Sequence, residues 1–401
     1  MDTLPLGGIS KSLLSLLNEL GEKGRYKIDL LLMKKEGMFL PMIPQDVELH
    51  SNLLEPIFRN PHPKYILRAL LKLPLTRWPA WFSLSLRCTL ARLRGGLHRH
   101  IQELDMWIGK HTPALPDEYD AAIAYQGGRC IYYLIEKIRA KVKIGYVHSD
   151  YSASEADYML KDVDQKYFPQ LNWLVTISEQ CAERLKTEFP NLTDRIRVAE
   201  NVCSPSLIKS MANEKLNDDE VAKSDKSIKL LTLGRLDLMT KGLDLAVETA
   251  LILKRNNIKF KWYLVGDGDG KPKIAEAIKK GGLRDYMFIL GAKSNPYPYI
   301  KLCDIYVHPS RFEGKSVALD EVKILCKPIV ATNFPTVYDQ LENRVTALIC
   351  QMSPHSIAES IMELINDRPL AEKLIKNLNE RPEDQQSKID TFENLISSTH
   401  D

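Results

Sequence analysis

The sequence predicts an α/β protein made of two Rossmann-like domains facing a cleft. Three observations predict it. Short apolar runs alternate with longer amphipathic ones along most of the chain, as parallel strands and crossover helices do. The 401 residues exceed one ordinary domain and suit two with sizeable cores. Residues 206–227 are polar and free of aromatics, as a linker between two halves would be. The expected domains are therefore 1–205, the linker 206–227, 228–380, and a last helix over 381–401.

At the N-terminus, residues 1–6 are too short and too polar (Asp2, Thr3, Pro5) to form the first strand of such a domain. Gly7 and Gly8 read as a loop, and Leu13, Leu16, Leu17 and Leu20 fall at helical spacing. Residues 26–33 read as a buried strand. A doubly wound sheet starts with a central strand followed by a glycine-rich loop, and that strand is missing here. The expectation is a slot between the inner strands of the first sheet, an unexpected strand closing it, or a natural chain that begins a few residues upstream.

Residues 56–102 carry nine Arg and Lys side chains, among them Arg68, Lys72 and Arg77, and no Asp or Glu; Trp78, Trp81 and Phe82 interleave with them. Two readings stand side by side. A basic amphipathic stretch suits an anionic membrane surface. It equally suits a helical insertion packed on the first domain, with its charges met by neighbouring loops.

The strand–helix rhythm resumes at residues 120–125, with a Gln126-Gly127-Gly128 loop, a helix over 130–140 and a strand over 142–147 ending at His148. A strand over 173–177 and a helix over 179–188 follow. After the linker come strands at 229–233, 261–265, 287–290 and 304–307, with helices at 242–254, 271–280 and 296–302. The segment beyond 380 reads as an amphipathic helix.

Composition bounds the rest. Apolar residues make up 44 % of the chain and the net charge is only +3, which argues against a dedicated nucleic-acid binder. Seven cysteines are scattered without a C-x-x-C pair, as expected of reduced thiols in a cytoplasm. No apolar run is long enough to span a bilayer, and no basic leader with a cleavage site is evident. The expected location is cytoplasmic, or peripheral on the inner face of the cell membrane.

The chain is organised around residues 306–332, Y-V-H-P-S-R-F-E-G-K-S-V-A-L-D-E-V-K-I-L-C-K-P-I-V-A-T. A strand ends at His308-Pro309-Ser310, a polar loop carries Glu313 and Gly314, a helix follows from Ser316, and Lys327-Pro328 turns into another strand. Such a loop presents backbone N–H groups and a helix N-terminus at the carboxyl end of a parallel sheet, where ligands bind and phosphates are attracted. Upstream, Arg235 and Lys241 share the loop after the first strand of the second half, one a planar fork and the other a point charge. Gly266 and Gly268 allow close backbone approach, but G-D-G-D-G is not the dinucleotide fingerprint. Asp267 and Asp269 are read as turn chemistry rather than metal ligands.

Glu313 and Glu321, eight residues apart between a P-S turn and a K-P-I-V-A-T strand, resemble the retaining glycosyltransferases of family 4. Those enzymes have the GT-B architecture and use nucleotide sugars. The resemblance is specific over residues 227–380 and covers the first half only by rhythm. It implies that Arg235 and Lys241 grip the donor diphosphate, with Gly314, Lys315, Ser316 and Val317 turned toward sugar and phosphate. Glu321 would take the ribose, and Glu313 would lie near the donor sugar. Ala292 and Lys293 follow a strand where the base would lie, beside Gly266. His148 matches a strand-end histidine near the donor sugar, although a lone histidine satisfied by local backbone reads as well. Gly7 and Gly8 form the acceptor-side loop. The final helix would cross back to the first domain. The pattern departs at Lys315-Ser316, where many members carry an apolar residue and then Pro.

The function so implied is retaining transfer of a sugar from a nucleotide-diphosphate donor, foremost a UDP-sugar, to a glycan or lipid-linked acceptor in cell-surface polysaccharide synthesis. No cofactor and no metal are expected, and no nucleic-acid partner. The alternatives are a non-catalytic relative acting as a partner or scaffold, and a nucleotide-sugar epimerase.

Overall fold

The structure is a computed structural model that describes residues 1–5, 7–51, 90, 99, 102–107, 109–110, 112–148, 151, 161–216, 226–382 and 384–398. The chain divides into two compact units. The first comprises Met1–Pro5, Leu17–Glu200 and Gln386–Asp401; the second comprises Leu6–Leu16 and Asn201–Gln385. The basic stretch at 56–102 lies outside the described residues except for Leu90, Arg99 and Gln102. Arg99 meets Asp162 at 2.8 Å.

The first helix, α1 (Gly8–Lys23), buries the four leucines that predicted it. In the first unit, β1 (Ile28–Leu32) and β2 (Val47–Ser51) form a parallel pair with Asp29 opposite Glu48. Further along come β3 (Glu118–Ala124), α2 (Arg129–Lys137), β4 (Arg139–Val147), α3 (Lys161–Tyr167), β5 (Trp173–Thr176), α4 (Glu179–Glu188) and β6 (Ile196–Val198). Strands β3, β4, β5 and β6 make a parallel sheet in that order. The helix expected over 130–140 stops earlier. Ile138 is already extended, and Arg139 and Ala140 pair with Glu118 and Tyr119. Ladder bonds to β3 therefore override the helical spacing at that end.

No ladder joins β1 to β3 among the described residues. Instead Tyr119 of β3 donates its hydroxyl to Asp29 of β1 at 3.0 Å. Met1–Pro5 run beside the far end of β1: Met33 N–H bonds Met1 O at 3.0 Å, Lys34 N–H bonds Asp2 O at 2.9 Å, and Leu4 N–H bonds Glu36 O at 3.0 Å. Leu4 is fully buried there.

In the second unit, α5 (Pro205–Met211) corrects the expectation of a polar linker beginning at 206. The Ser204 side chain caps it by accepting from Leu207 N–H, Pro205 occupies its first turn, and Ile208 and Met211 are buried. Residues 217–225 of the expected linker lie outside the described residues. The core elements are β7 (Ile228–Leu233), α6 (Leu243–Arg255), β8 (Phe260–Val265), α7 (Lys271–Lys280), β9 (Met287–Gly291), α8 (Tyr297–Leu302), β10 (Ile305–His308), α9 (Val317–Ile324) and β11 (Ile329–Thr332). Beyond the sequence reading come β12 (Leu348–Cys350), α10 (Pro354–Asn366) and α11 (Arg368–Glu380). The last helix, α12 (Gln385–Ser397), has residues 386 onward grouped with the first unit. There Glu393 accepts from Lys23 at 2.9 Å and from Tyr26 at 3.0 Å.

All six strands of the second unit are parallel, in the order β12-β11-β10-β7-β8-β9. Counted within the unit this is the doubly wound order, and its direction reverses between β7 and β10. Loops leaving the two strands that flank the reversal diverge and open a crevice at their carboxyl ends. Trp262 is fully buried in the core. Its ring N–H is satisfied by the Thr232 hydroxyl at 3.0 Å, which in turn donates to Val307 O at 2.7 Å. That bond ties β7 to β10 below the crevice.

Candidate donor site in the second unit

The crevice is lined by the loop after β7 (234–242) and the loop after β10 (309–316), with a shallow pocket between Gly234, Arg235, Lys241, His308 and Ser310. Gly242 links the first loop to α6 with φ 60°, and a Cβ there would sit 2.1 Å from Pro309 O. Only glycine permits both the left-handed turn and that approach. Arg311 fastens the second loop to the first. Its guanidinium takes both carboxylate oxygens of Asp244, at 2.8 and 2.6 Å, and bonds Leu238 O at 2.7 Å. Asp237 shapes the first loop by accepting from Met239 N–H, Thr240 N–H and the Thr240 hydroxyl.

One oxygen of Glu313 gathers three donors. Lys241 Nζ lies at 2.5 Å, Ser310 Oγ at 2.8 Å and His308 Nε2 at 3.0 Å. Burial alone would raise the Glu313 pKa. The Lys241 charge, the His308 bond and the Lys241 bond outweigh it and hold the carboxyl far below its ordinary value. His308 is itself pushed down, first by burial, against the pull of Glu313. A carboxylate can only accept, so Nε2 of neutral His308 carries the proton and Nδ1 faces the Tyr306 hydroxyl at 3.2 Å. Lys241 thus keeps donors available beyond the one held by Glu313. Arg235, two-thirds exposed, pairs with Asp237 at 3.2 Å.

Glu321 lies one helix deeper, on α9, and is almost fully buried. Tyr297 Oη donates to it at 3.0 Å, and Lys11 Nζ reaches its two oxygens at 2.7 and 2.8 Å. Lys11 belongs to the segment Leu6–Leu16 that groups with this unit. Gly8 makes the approach feasible, since a Cβ there would already meet Val317 Cγ2 at 3.2 Å. Gly7 faces open space.

The structure therefore brings Lys241, Glu313 and Arg235 to one crevice, with Gly314, Lys315 and Val317 at the entry of α9. Ser316 differs from its expected role. Its N–H is bonded to Gln340 Oε1 at 2.7 Å, and Gln340 Nε2 returns to Ser316 O at 2.9 Å, so that donor is already used. Gly266 follows β8 with φ 151° and donates to Gly291 O at 2.9 Å; a Cβ there would meet Gly234 O at 1.8 Å. This packs the loop after β8 against the crevice floor. Ala292 and Lys293 follow β9, with Lys293 over the Tyr299 ring at 5.5 Å. Asp267 bonds Gly268 N–H and pairs with Lys271, as turn chemistry does. Sequence reasoning did not assign roles to His308, Ser310, Asp237, Tyr297, Gln340 or Lys11. The first two stand in the motif it quoted, so the signal was present there. Lys11 and Tyr297 are distant in sequence and leave none.

In the first unit His148 ends β4. Its Nε2 lies 3.0 Å from Tyr125 O, and its ring sits 5.0 Å from Tyr125 and 5.2 Å from Tyr146. Burial pushes its pKa down to about 4, the Tyr125 bond only partly offsetting that. The ring is therefore neutral near pH 7. A carbonyl only accepts, so the proton is on Nε2, and Nδ1 is a buried acceptor without a hydrogen-bond partner among the described residues.

Among the described residues one group could offer three ligands to a metal, Asp29, Glu48 and His50 in the first unit; the crevice contributes none. A larger groove of about 300 Å³ in the second unit runs past Lys209, Asp320, Lys323, Tyr338 and Arg381. Its charges pair within it, Lys323 with Asp320 at 3.4 Å and Arg381 with Glu342 at 3.6 Å. No helix among the described residues is long and apolar enough to cross a membrane.

Residues 213–381 match the family model of glycosyl transferases group 1. An alpha-D-kanosaminyltransferase of Streptomyces kanamyceticus is 27 % identical over 151 residues, which is 37 % of this chain and 39 % of that one. An N,N'-diacetylbacillosaminyl-diphospho-undecaprenol alpha-1,3-N-acetylgalactosaminyltransferase of Campylobacter jejuni is 31 % identical over 156 residues, 38 % of this chain and 39 % of that one. The chain thus matches about two fifths of the length of these curated relatives. Among solved structures, HepE of Anabaena in complex with UDP and glucose superposes with a TM-score of 0.67 at 15 % identity, covering 99 % of this chain and 98 % of that one. The likeness to that structure is one of fold.

Proposed function

We propose, for a chain whose residues 213–381 match the model of glycosyl transferases group 1, that it transfers a sugar with retention from a nucleotide-diphosphate donor, foremost a UDP-sugar, to a glycan or lipid-linked acceptor. The observation that carries this reading is the Lys241–Glu313–His308 cluster beside Arg235 at the strand-order reversal. A departing diphosphate gathers negative charge. Fixed cations in a partly dry crevice favour that state over the ground state. Glu313 holds the Lys241 ammonium in place before the donor arrives, and Arg235 is free to turn toward the phosphates. In this reading Glu313 acts mainly by positioning Lys241, and His308 and Ser310 hold Glu313. UDP in the HepE structure and the diphospho-undecaprenol in the name of the Campylobacter relative support the donor class and a lipid-linked acceptor in surface polysaccharide synthesis.

The test is a panel of nucleotide sugars, screened by thermal shift and then by donor turnover with and without EDTA. Turnover should persist in EDTA, and the product anomeric centre seen by NMR should match the donor's. Arg235→Ala and Lys241→Ala should each lower kcat by on the order of a hundredfold. Unchanged turnover in both variants, or an inverted product, overturns the assignment. A chain that binds a nucleotide sugar but never turns it over would favour the scaffold reading.

A further inference from the structure

Glu321 cannot receive a ribose as it stands. A carboxylate has about four lone-pair sites. Tyr297 fills one, at 3.0 Å to Oε1, and Lys11 bridges both oxygens at 2.7 and 2.8 Å. The two vicinal hydroxyls of a ribose need two sites. The carboxylate is 1 % exposed and the Lys11 side chain 15 %, so the pair is largely desolvated, and water does not compete strongly for either partner. The Lys11 ammonium also lies 5.4 Å from the centre of the Tyr297 ring, which adds a cation–π contact. Tyr297 in turn is pushed well above its ordinary pKa, first by burial and then by the Glu321 charge, so it stays a donor and does not leave. Of the groups on Glu321, only Lys11 is long, flexible and near enough to solvent to withdraw.

We infer that Lys11 competes with the donor's ribose for Glu321 and so sets how tightly the second unit holds a ribonucleotide. The inference rests on the donor-site reading above. Without a ligand, Lys11 neutralises a carboxylate that would otherwise be buried and uncompensated, a strongly destabilising arrangement. When a ribonucleotide enters, its 2′- and 3′-hydroxyls replace the ammonium, which swings toward solvent or the phosphates. The free protein is thereby stabilised at the expense of affinity, because part of the binding energy is used to break the Lys11–Glu321 pair. The closeness of Gly8 to Val317 places Lys11 one turn into α1, within reach of Glu321 one turn into α9.

The experiment compares wild type, Lys11→Met and Lys11→Gln for melting temperature and for calorimetric affinity toward UDP and 2′,3′-dideoxy-UDP. Lys11→Gln keeps a hydrogen-bond donor for the buried carboxylate and guards against a Met variant that fails to fold. Expected is a lower melting temperature for the unliganded variants, with UDP bound roughly tenfold tighter than by wild type, the scale of one lost competing contact. The gain should vanish with the dideoxy analogue, which lacks the competing hydroxyls. Equal or weaker UDP binding in the variants, or an equal gain with the dideoxy analogue, overturns the inference. Arg235→Ala separates the two levels of the argument. If wild type binds UDP and Arg235→Ala weakens it, the donor site stands whatever Lys11 does. If wild type binds no nucleoside diphosphate, the donor-site reading fails first.

Discussion

Asp164 is 1 % exposed and accepts from Tyr132 Oη and Tyr151 Oη, each at 2.8 Å, while Gln102 donates to Tyr132 at 3.0 Å. Burial raises its pKa to about 6, and the two phenol bonds offset this only in part. The folded form therefore holds a proton more tightly than the unfolded form. Its contribution to stability is fully present below the unfolded value near 3.8 and is lost as pH rises through about 6. Between pH 7 and pH 5 the urea midpoint of wild type should rise relative to that of Asp164→Asn. A constant difference between the two proteins across that range would contradict the assignment. His148 and His308 act the other way, since their folded pKa values are lowered. They weaken the fold as pH falls below about 6.5, where an unfolded imidazole takes up a proton. Such linkage leaves no mark in the sequence. Asp164 is one acid among 52 Asp and Glu residues, and only burial singles it out. Glu313 was legible because its flanks are distinctive, yet its three donors to one oxygen were not, because side-chain convergence depends on where two separate loops meet.

Among the elements, the loop from β7 to α6 is held tightly at Gly242. Gly242→Ala forces a left-handed residue to carry a Cβ and drives that atom into Pro309 O; strain of this kind costs about 1–3 kcal/mol before any loop displacement. The variant should melt lower and lose UDP affinity together, because the loop that moves carries Lys241. Unaltered affinity in a destabilised variant would show that the loop position is irrelevant to binding. Strands β7 to β11 were legible to within a residue or two because each reads as a continuous apolar run; β12, three residues long, was not. Helix α5 was missed because polar composition was weighed above its start signal, Ser204 followed by Pro205. The same kind of signal, Ser353 followed by Pro354, opens α10, where Ile357 and Ile361 are fully buried. The end of α2 was overrun because its helical spacing continues into residues whose backbone is claimed by β3.

For the whole molecule, the sequence indicated two α/β halves, and the chain divides into two compact units. The basic stretch belongs to this scale because its effect would be collective. If residues 56–102 meet a membrane, the protein should sediment with anionic vesicles and be released by high salt, because exposed charges are screened. Charge reversal at Arg68, Lys72 and Arg77 should abolish that sedimentation. Equal association with neutral vesicles would favour the packed insertion instead.

The first unit is assembled from both ends of the chain. Ile389, Phe392 and Leu395 of α12 are buried, Glu393 holds Lys23 and Tyr26, and the Trp173 ring N–H bonds Ser398 O at 3.1 Å. Synthesis on a ribosome runs from one end only. The 201–385 portion can emerge and fold while the earlier portion still awaits its closing helix. Until residue 398 clears the exit tunnel, Tyr26 and Trp173 lack these partners, and the apolar ground that α12 will cover lies open. A nascent chain displayed outside the tunnel only as far as residue 385 should therefore recruit chaperones through its older half, and exposure of residues 386–398 should end that engagement.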